Sequence, residues 1–520
     1  MHSALTDSFH HQVWLAMPRI LSNAVIFAVV ILTITPSRPM LAQGSGTVVI
    51  DLLDKKTQDP LTCRVQVLNE KGRPVRPRSA SQERSWSLIE SPLTVRSRKG
   101  KYTYRVYRGP EYAAGGGEFE LDTNSEGYDV LELPRHANML EEDWFGGDLS
   151  AHMSTTKLLR WLPAEGLTMS VQLGQRTSAA EAREQSFVSE DGLWVESQSY
   201  FDSRPGSGLS LHHWLPPAEV PKDLPSTKLL VLAKNTEQPE DTLPVHAEIS
   251  RLWARDVPIW LASQRIDSIQ VLGTHLTWTG KGGNQFRPLI DPDPGRFRGE
   301  RGPGRMLENI YWKVLDAGLR IPPSAGSGFG KIDTVPGYNR VYVSCGSVSQ
   351  AAWWEGLRRG NSFVTSGPLL RVKVNGLVPG AVFSDPEKVE LDVALKLTTS
   401  DPVAYLDVIY NGEKLYEARL DEYAKAGGKI PRLSVEESGW LLVRVVTERD
   451  FTYRIASTAP YYCEIAEQPR VSKSAVEFFQ KWLEEAAEQI EASDQSQASK
   501  AYIDAARAFW NEKLKAANVP

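Results

Sequence analysis

The sequence predicts a multidomain protein of mixed α/β and all-β character: a β/α barrel between two β-sandwiches, followed by a helical tail. Three observations carry that expectation. The chain has 520 residues, too many for one ordinary core and enough for about three domains. Residues 47–133 and 370–466 contain short runs in which apolar and polar residues alternate between turn signals, the pattern of half-buried strands. Residues 141–367 instead interleave short apolar runs with helical patterns, which implies a parallel sheet, wound as a barrel, with its site at the strand C-termini.

A content of 41% hydrophobic and 24% charged residues is that of a globular chain. The net charge of −5 gives no basis for nucleic-acid binding. The chain has neither a block of basic residues nor a glycine-rich phosphate loop, so no nucleotide cofactor is expected.

The elements follow in order. Arg19 precedes an apolar run from Ile20 to Leu32, no charge follows until Arg38, and Met40-Leu41-Ala42 ends in small residues. That order marks residues 1–42 as a signal peptide, with Met17 as an alternative start, and places the mature chain outside the cytoplasm, periplasmic or secreted. The alternative is an uncleaved anchor, the only route to a membrane for this chain.

Residues 43–140 form the first predicted sandwich, with strands at 47–53, 63–68, 101–107, 119–121 and 130–133 and a turn at Asn69 to Gly72. In the barrel region, 141–367, strands are expected at 229–232 and 268–272. Helices are expected at 158–161, 246–263 and 306–318, the last closed by Gly318. Residues 368–470 form the second sandwich, with strands at 391–397, 405–410 and 440–446 and a hairpin turn at Asn411-Gly412. In the tail, 471–520, Ser474 and Glu477 suggest a capping box before Phe478, Phe479, Trp482 and Leu483. A polar linker at 493–499 leads to a second helix over 502–514. Cys63, Cys345 and Cys463 are too far apart to read as a disulfide framework.

The candidate chemistry gathers at Gly147-Asp148-Leu149-Ser150-Ala151-His152. On an extended backbone Asp148, Ser150 and His152 share one face. His275 follows an apolar strand, Glu248 lies near His246, and of the adjacent His212 and His213 at most one can enter a common site. Residues 322–328, with Ser324 and Ser327, form a small loop able to bring backbone amides to an anion, or a simple tight turn. Arg296, Arg298 and Arg301 lie on a turn-rich excursion at 291–304. The Gly-x-Ser-x-Gly elbow of serine hydrolases is missing.

The 147–152 motif resembles the opening motif of the PHP-domain metal-dependent hydrolases of the CehA/McbA type. The likeness to secreted members extends over Asp256-Val-Pro-Ile-Trp-Leu-Ala-Ser263, Gly273-Thr-His275, Pro336-Gly-Tyr-Asn-Arg340-Val-Tyr342, Trp353-Trp-Glu-Gly-Leu357 and Phe363-Val-Thr-Ser-Gly-Pro-Leu369. The resemblance implies a PHP-like distorted β/α barrel and hydrolysis of esters or phosphoesters at divalent zinc, iron or manganese, which turn bound water into a nucleophile. It makes Asp148 and His152 the catalytic pair and places His152, His275, Asp148 and Glu248 around the metal. Ser150, Ser324, Ser327 and Arg340 then face a small-molecule or polymer substrate. Two departures stand out: Ser150 replaces a histidine, and Ser250 stands where relatives more often carry an acid. Neutral serine is a poor ligand for these metals. Two expectations follow, a hydrolase with a reduced metal site and a catalytically inactive relative that acts as a ligand- or carbohydrate-binding scaffold.

Overall fold

The computed structural model describes residues 44–520 except 79, 84, 174–185, 217, 218, 238, 241, 278–285, 287, 291, 292 and 294. The signal peptide expected at 1–42 therefore lies outside the described residues, as do Asp291 and Pro292 of the charged excursion.

In the N-terminal region the strand Ser45–Asp54 alternates between half-buried and buried positions, as expected of a strand with one face on a core. It lies between Leu93–Arg98 and Glu126–Leu133 in a three-stranded sheet. Thr62–Asn69 and Gly100–Tyr107 belong to a facing five-stranded sheet. Val48, Ile50, Val65, Val106 and Leu133 close one apolar core between the two.

The central residues build two further sheets. One orders Ser199–Asp202, Leu209–His212, His246–Ile249, Ser268–Leu272 and Pro323–Ala325. Its first three strands are antiparallel and its last three parallel. The other, of twelve strands among the described residues, contains Trp194–Glu196, Met169–Gln172, Phe145–Ala151, Arg340–Val343 and Ser362–Thr365 in that order. Phe145–Ala151 runs parallel to Met169–Gln172 but antiparallel to Arg340–Val343. The expected all-parallel sheet is thus a mixed one, because Ser199–Asp202 and Leu209–His212 are joined too closely for a crossover helix and can pair only as a hairpin.

A seam joins the two sheets along residues 326–330. Gly328 N–H donates to Ser150 O at 2.7 Å, and His152 N–H to Phe329 O at 2.6 Å. Only a glycine fits at 326, where a Cβ would lie 2.5 Å from Ser150 Cβ and 2.6 Å from Gln270 Nε2.

Two central elements differ from expectation. Residues 229–232, expected as a strand, lie in the helix Ser226–Lys234; a four-residue apolar run does not distinguish the two by itself. Residues 246–263, expected as one helix, split into the buried strand His246–Ile249 and the short helix Val257–Ala262. Pairing of Ala247 with Leu211 and of Glu248 with Ser268 on either side overrides the helical spacing. The helix Gly302–Asp316 lies where it was expected.

The twelve-stranded sheet runs on without a break into the C-terminal region, since Ser362–Thr365 pairs with Ile455–Thr458 and that strand with Gly439–Thr447. The boundary expected at 367/368 does not interrupt it. Arg444 binds this region to the central one: it donates to Asp407 and to Glu308 of helix Gly302–Asp316, each at 2.5 Å, and Tyr453 OH donates to Glu308 at 2.7 Å.

The tail folds as the helices Lys473–Glu491 and Ser496–Lys515. Ser472, not Ser474, caps the first by accepting from Ala475 N–H, and the second begins within the expected linker. Phe479 stacks on Trp510 at 4.9 Å, and Trp510 Nε1 donates to Pro258 O at 3.0 Å, so the aromatic stripe packs on the helix Val257–Ala262. Among the described residues no helix is long and apolar enough to cross a membrane. Cys63 and Cys463 are buried and Cys345 half-buried, all as free thiols.

Candidate functional site

Phe145–Ala151 is buried at every position, which places Asp148 inside the protein. Its carboxylate accepts from Ser327 N–H (2.8 Å), Ser327 Oγ (2.5 Å), Gly337 N–H (2.8 Å) and Ser150 N–H (3.1 Å). Burial raises its pKa above the ordinary carboxylate value, even against the hydrogen bonds from Ser327, Gly337 and Ser150 that lower it.

Glu248 lies in a second nest. Ser324 Oγ donates to Oε1 at 2.5 Å, and Ser250 Oγ and Gln270 Nε2 donate to Oε2 at 2.8 and 3.4 Å. Ser250 Oγ lies in turn 2.6 Å from Ser210 Oγ. One segment, residues 323–328, serves both nests, since Ser324 reaches Glu248 and Ser327 reaches Asp148. Each hydroxyl meets the need of a buried carboxylate for donors. Ser150, Ser324 and Ser327, expected to face a substrate, are instead buried.

The histidines take other surroundings. His152 lies edge-on to Phe201 at 6.4 Å, and burial, then the Lys331 charge, holds its pKa down at about 4. His275 is enclosed by Trp253 and Phe286 at 5.5 and 6.2 Å, with its pKa pushed down to about 3 by burial. Among the described residues neither ring nitrogen of His275 has a hydrogen-bond partner. The expected gathering of His152, His275, Asp148 and Glu248 is not found: among the described residues no group of three or more His, Cys, Asp or Glu side chains is placed to hold a metal ion. The Asp148 and Glu248 oxygens are engaged by hydroxyls and amides, and His275 is walled by aromatic rings.

A third cluster surrounds Trp354, whose ring lies 5.2, 4.6 and 4.8 Å from those of His212, His213 and His246. His212 Nε2 is 3.6 Å from Glu248, whereas His213 Nε2 is 3.9 Å from Glu196. The neighbours diverge as their sequence spacing requires. Glu196 accepts from Trp354 Nε1 at 3.3 Å, and burial outweighs that bond, raising its pKa to about 7. Sequence reasoning missed Glu196; its signal was an acid at the end of the short run Trp194-Val-Glu, whose three residues are all buried.

Arg340 is buried on the strand Arg340–Val343, apart from both nests. It donates to Gly337 O (2.5 Å) and Glu165 O (2.7 Å), and it lines an open cleft of about 780 Å³ between the N-terminal sandwich, the central region and the loop 448–454. Arg64 lines it as well, paired with Glu165 at 2.6 Å and set between Trp86 and Tyr107, whose ring centres lie 4.3 and 4.8 Å from its guanidinium carbon. Arg449 and Arg454 both donate through Nε to Asp401, whose pKa is held low by the two guanidinium charges despite burial. Arg296 and Arg301 of the charged excursion lie outside this cleft: Arg296 pairs with Asp293, and Arg301 sits over Tyr453.

No family model matches the chain, and no curated protein does. Among solved structures, the TIE protein of Bacillus anthracis shares 16% identity over 22% of this chain and 20% of its own, with a TM-score of 0.15. A β-glucuronidase of Parabacteroides merdae shares 12% identity over 79% of this chain and 61% of its own, with a TM-score of 0.18. The chain thus spans less than two thirds of either protein, and at these TM-scores neither likeness carries an argument.

Proposed function

We propose that this chain is an exported PHP-like protein in which the barrel has become a scaffold and the work is ligand binding, not metal-dependent hydrolysis. The observation that supports this reading is the state of Asp148: four donors from Ser327, Gly337 and Ser150 occupy the carboxylate that the family resemblance assigns to the metal. Export rests on the basic, apolar and small-residue order of the first 42 residues.

One observation favours the hydrolase instead. A buried imidazole is costly when its nitrogens lack hydrogen bonds, and among the described residues those of His275 have no partner. Elemental analysis of protein purified without chelators separates the two readings. Below about a tenth of an equivalent of zinc, iron or manganese is the expected result, since a working site must retain its ion. A stoichiometric metal, lost together with an esterase or phosphoesterase activity on chelation, overturns the scaffold reading.

A further inference from the structure

The cleft beside Arg340 is built differently from the interior. Its lining includes Arg64, Arg105, Arg340, Arg449 and Arg454 against two carboxylates, Glu165 and Asp401. Five guanidinium groups against two carboxylates leave an excess of three positive charges in a chain whose net charge is −5. Confining positive charge to one concave surface focuses its field on an anion. Interleaved with the arginines are Trp86, Tyr107, Tyr112, Tyr338 and Phe451. Phe451 is the exposed ring of the set, at 41%.

Four of the five arginines are held in place by protein contacts. Arg64 is fixed by two aromatic faces and Glu165. Arg340 is fixed by two carbonyls. Arg454 lies over Tyr338 and Arg449 over Phe451, at 5.5 and 5.7 Å from the ring centres. Guanidinium groups recognise carboxylate and sulfate oxygens through paired N–H donors, and fixing them beforehand lowers the entropy lost on binding. The volume of about 780 Å³ falls within the roughly 300–1,000 Å³ of small-ligand sites.

From this charge excess and these aromatic platforms we infer that the cleft binds a short acidic oligosaccharide, its acid groups held by the arginines and its sugar faces laid on the rings. Carboxylated and sulfated sugars share that chemistry. An acidic peptide matches the charge but makes less use of the exposed Phe451 ring and the half-buried Trp86 and Tyr107 rings. The inference rests on the binding reading and gives it a ligand; metal content reads the barrel separately, so one can fail without the other.

The test is titration calorimetry of the full mature chain with an oligogalacturonate hexamer, a heparin-derived hexasaccharide, neutral maltohexaose and a hexaglutamate peptide. One of the two acidic sugars is expected to bind, more weakly as salt rises, and which of them binds identifies the acid group. Arg105→Gln and Phe451→Ala, both at exposed positions, should each weaken it about tenfold with unchanged melting temperature. The inference is overturned if neither acidic sugar binds, if maltohexaose or hexaglutamate binds as tightly, or if both variants bind like the parent.

Discussion

The nests around Asp148 and Glu248 and the cleft beside Arg340 are both rich in charge, yet they treat it in opposite ways. In the nests every carboxylate oxygen meets serine hydroxyls, amides or a glutamine, and the serines that supply those donors are themselves buried. In the cleft the arginines outnumber the carboxylates; Arg64 and Arg340 form its buried floor, while Arg105 and Arg449 are exposed. A polar group that is internally satisfied stabilises the fold and has no capacity left for a ligand. A charge held rigidly without full compensation costs stability and is retained where something outside completes it. The two regions are mechanically joined, since Gly337, whose amide binds Asp148, has its carbonyl bound by Arg340. Gly337 has φ of +65°, and a Cβ there would lie 2.8 Å from Arg340 Nη2, so the link depends on glycine.

The largest expected effect comes from acid, which should break the interior and spare the cleft. His152, His213 and His275 have pKa values held at about 4, 3 and 3 against 6.5 when unfolded. The unfolded chain therefore binds more protons below pH 6.5, and stability present above that pH is lost as pH falls toward 4. Each histidine removes about 2 kcal/mol by pH 5. Glu196 acts the other way: its folded pKa of about 7 lies above its unfolded 4.5, so it adds stability as pH falls between them, about 2 kcal/mol. These four groups together give an expected loss of about 4 kcal/mol from pH 7.5 to pH 5, measured by urea denaturation, and His246, whose pKa burial also lowers, acts in the same direction. An unchanged midpoint would show that these histidines are not buried as neutral groups. Titration of the cleft arginines plays no part in this range, because guanidinium stays charged.

Asp148→Asn comes next. It removes the charge that organises four donors and turns an amide toward two of them, with an expected loss of about 2–3 kcal/mol. Because the same carboxylate holds Gly337, ligand affinity in the cleft should fall as well. A catalytic aspartate would behave in the opposite manner, with activity lost at little cost in stability. Denaturation and calorimetry on one variant decide between them.

Much of this contrast was legible in the sequence, though not its meaning. Asp148 and Ser150 stood out because spacing puts them on one face of an extended run, and Glu248 and Ser250 because of the family resemblance, while Ser268–Leu272 and Gly302–Asp316 lie where the pattern put them. Ser150 and Ser250 read as losses from a metal site. Their positive role, as part of the nests around buried carboxylates, depends on Ser324 and Ser327 arriving from a distant segment, which periodicity cannot supply. The cleft was illegible for the same reason. Arg64, Arg340 and Arg454 come from three regions of the chain, and only the twelve-stranded sheet that continues past residue 367 brings the last two together. The strand His246–Ile249 was hidden because its pairing partners, not its own pattern, decide its conformation.

Ser324→Ala and Ser150→His test the nests with smaller changes. Ser324→Ala leaves one oxygen of Glu248 without its hydroxyl donor, an expected cost of about 1–2 kcal/mol, read by urea denaturation, with no effect on the cleft. Ser150→His restores the residue the resemblance expects, but the side chain has no room beside Gly326, which already lies against Ser150. A scaffold predicts lower stability and no gain in bound zinc by elemental analysis. A reduced metal site predicts tighter retention of the ion.

The smallest effect on the fold is expected where the effect on binding is greatest. Arg105 is an exposed position on the strand Gly100–Tyr107, and Phe451 lies on the exposed loop before Ile455–Thr458. Substitutions at exposed positions away from caps and buried networks usually change stability by no more than about 0.5 kcal/mol. Combining Arg105→Gln with Phe451→Ala should therefore leave the denaturation midpoint and its acid dependence unaltered while the acidic-sugar signal disappears. If the double variant also lost its steep acid dependence, the interior and the cleft would be one cooperative unit, and Gly337, with its two hydrogen bonds to Asp148 and Arg340, would be where they are coupled.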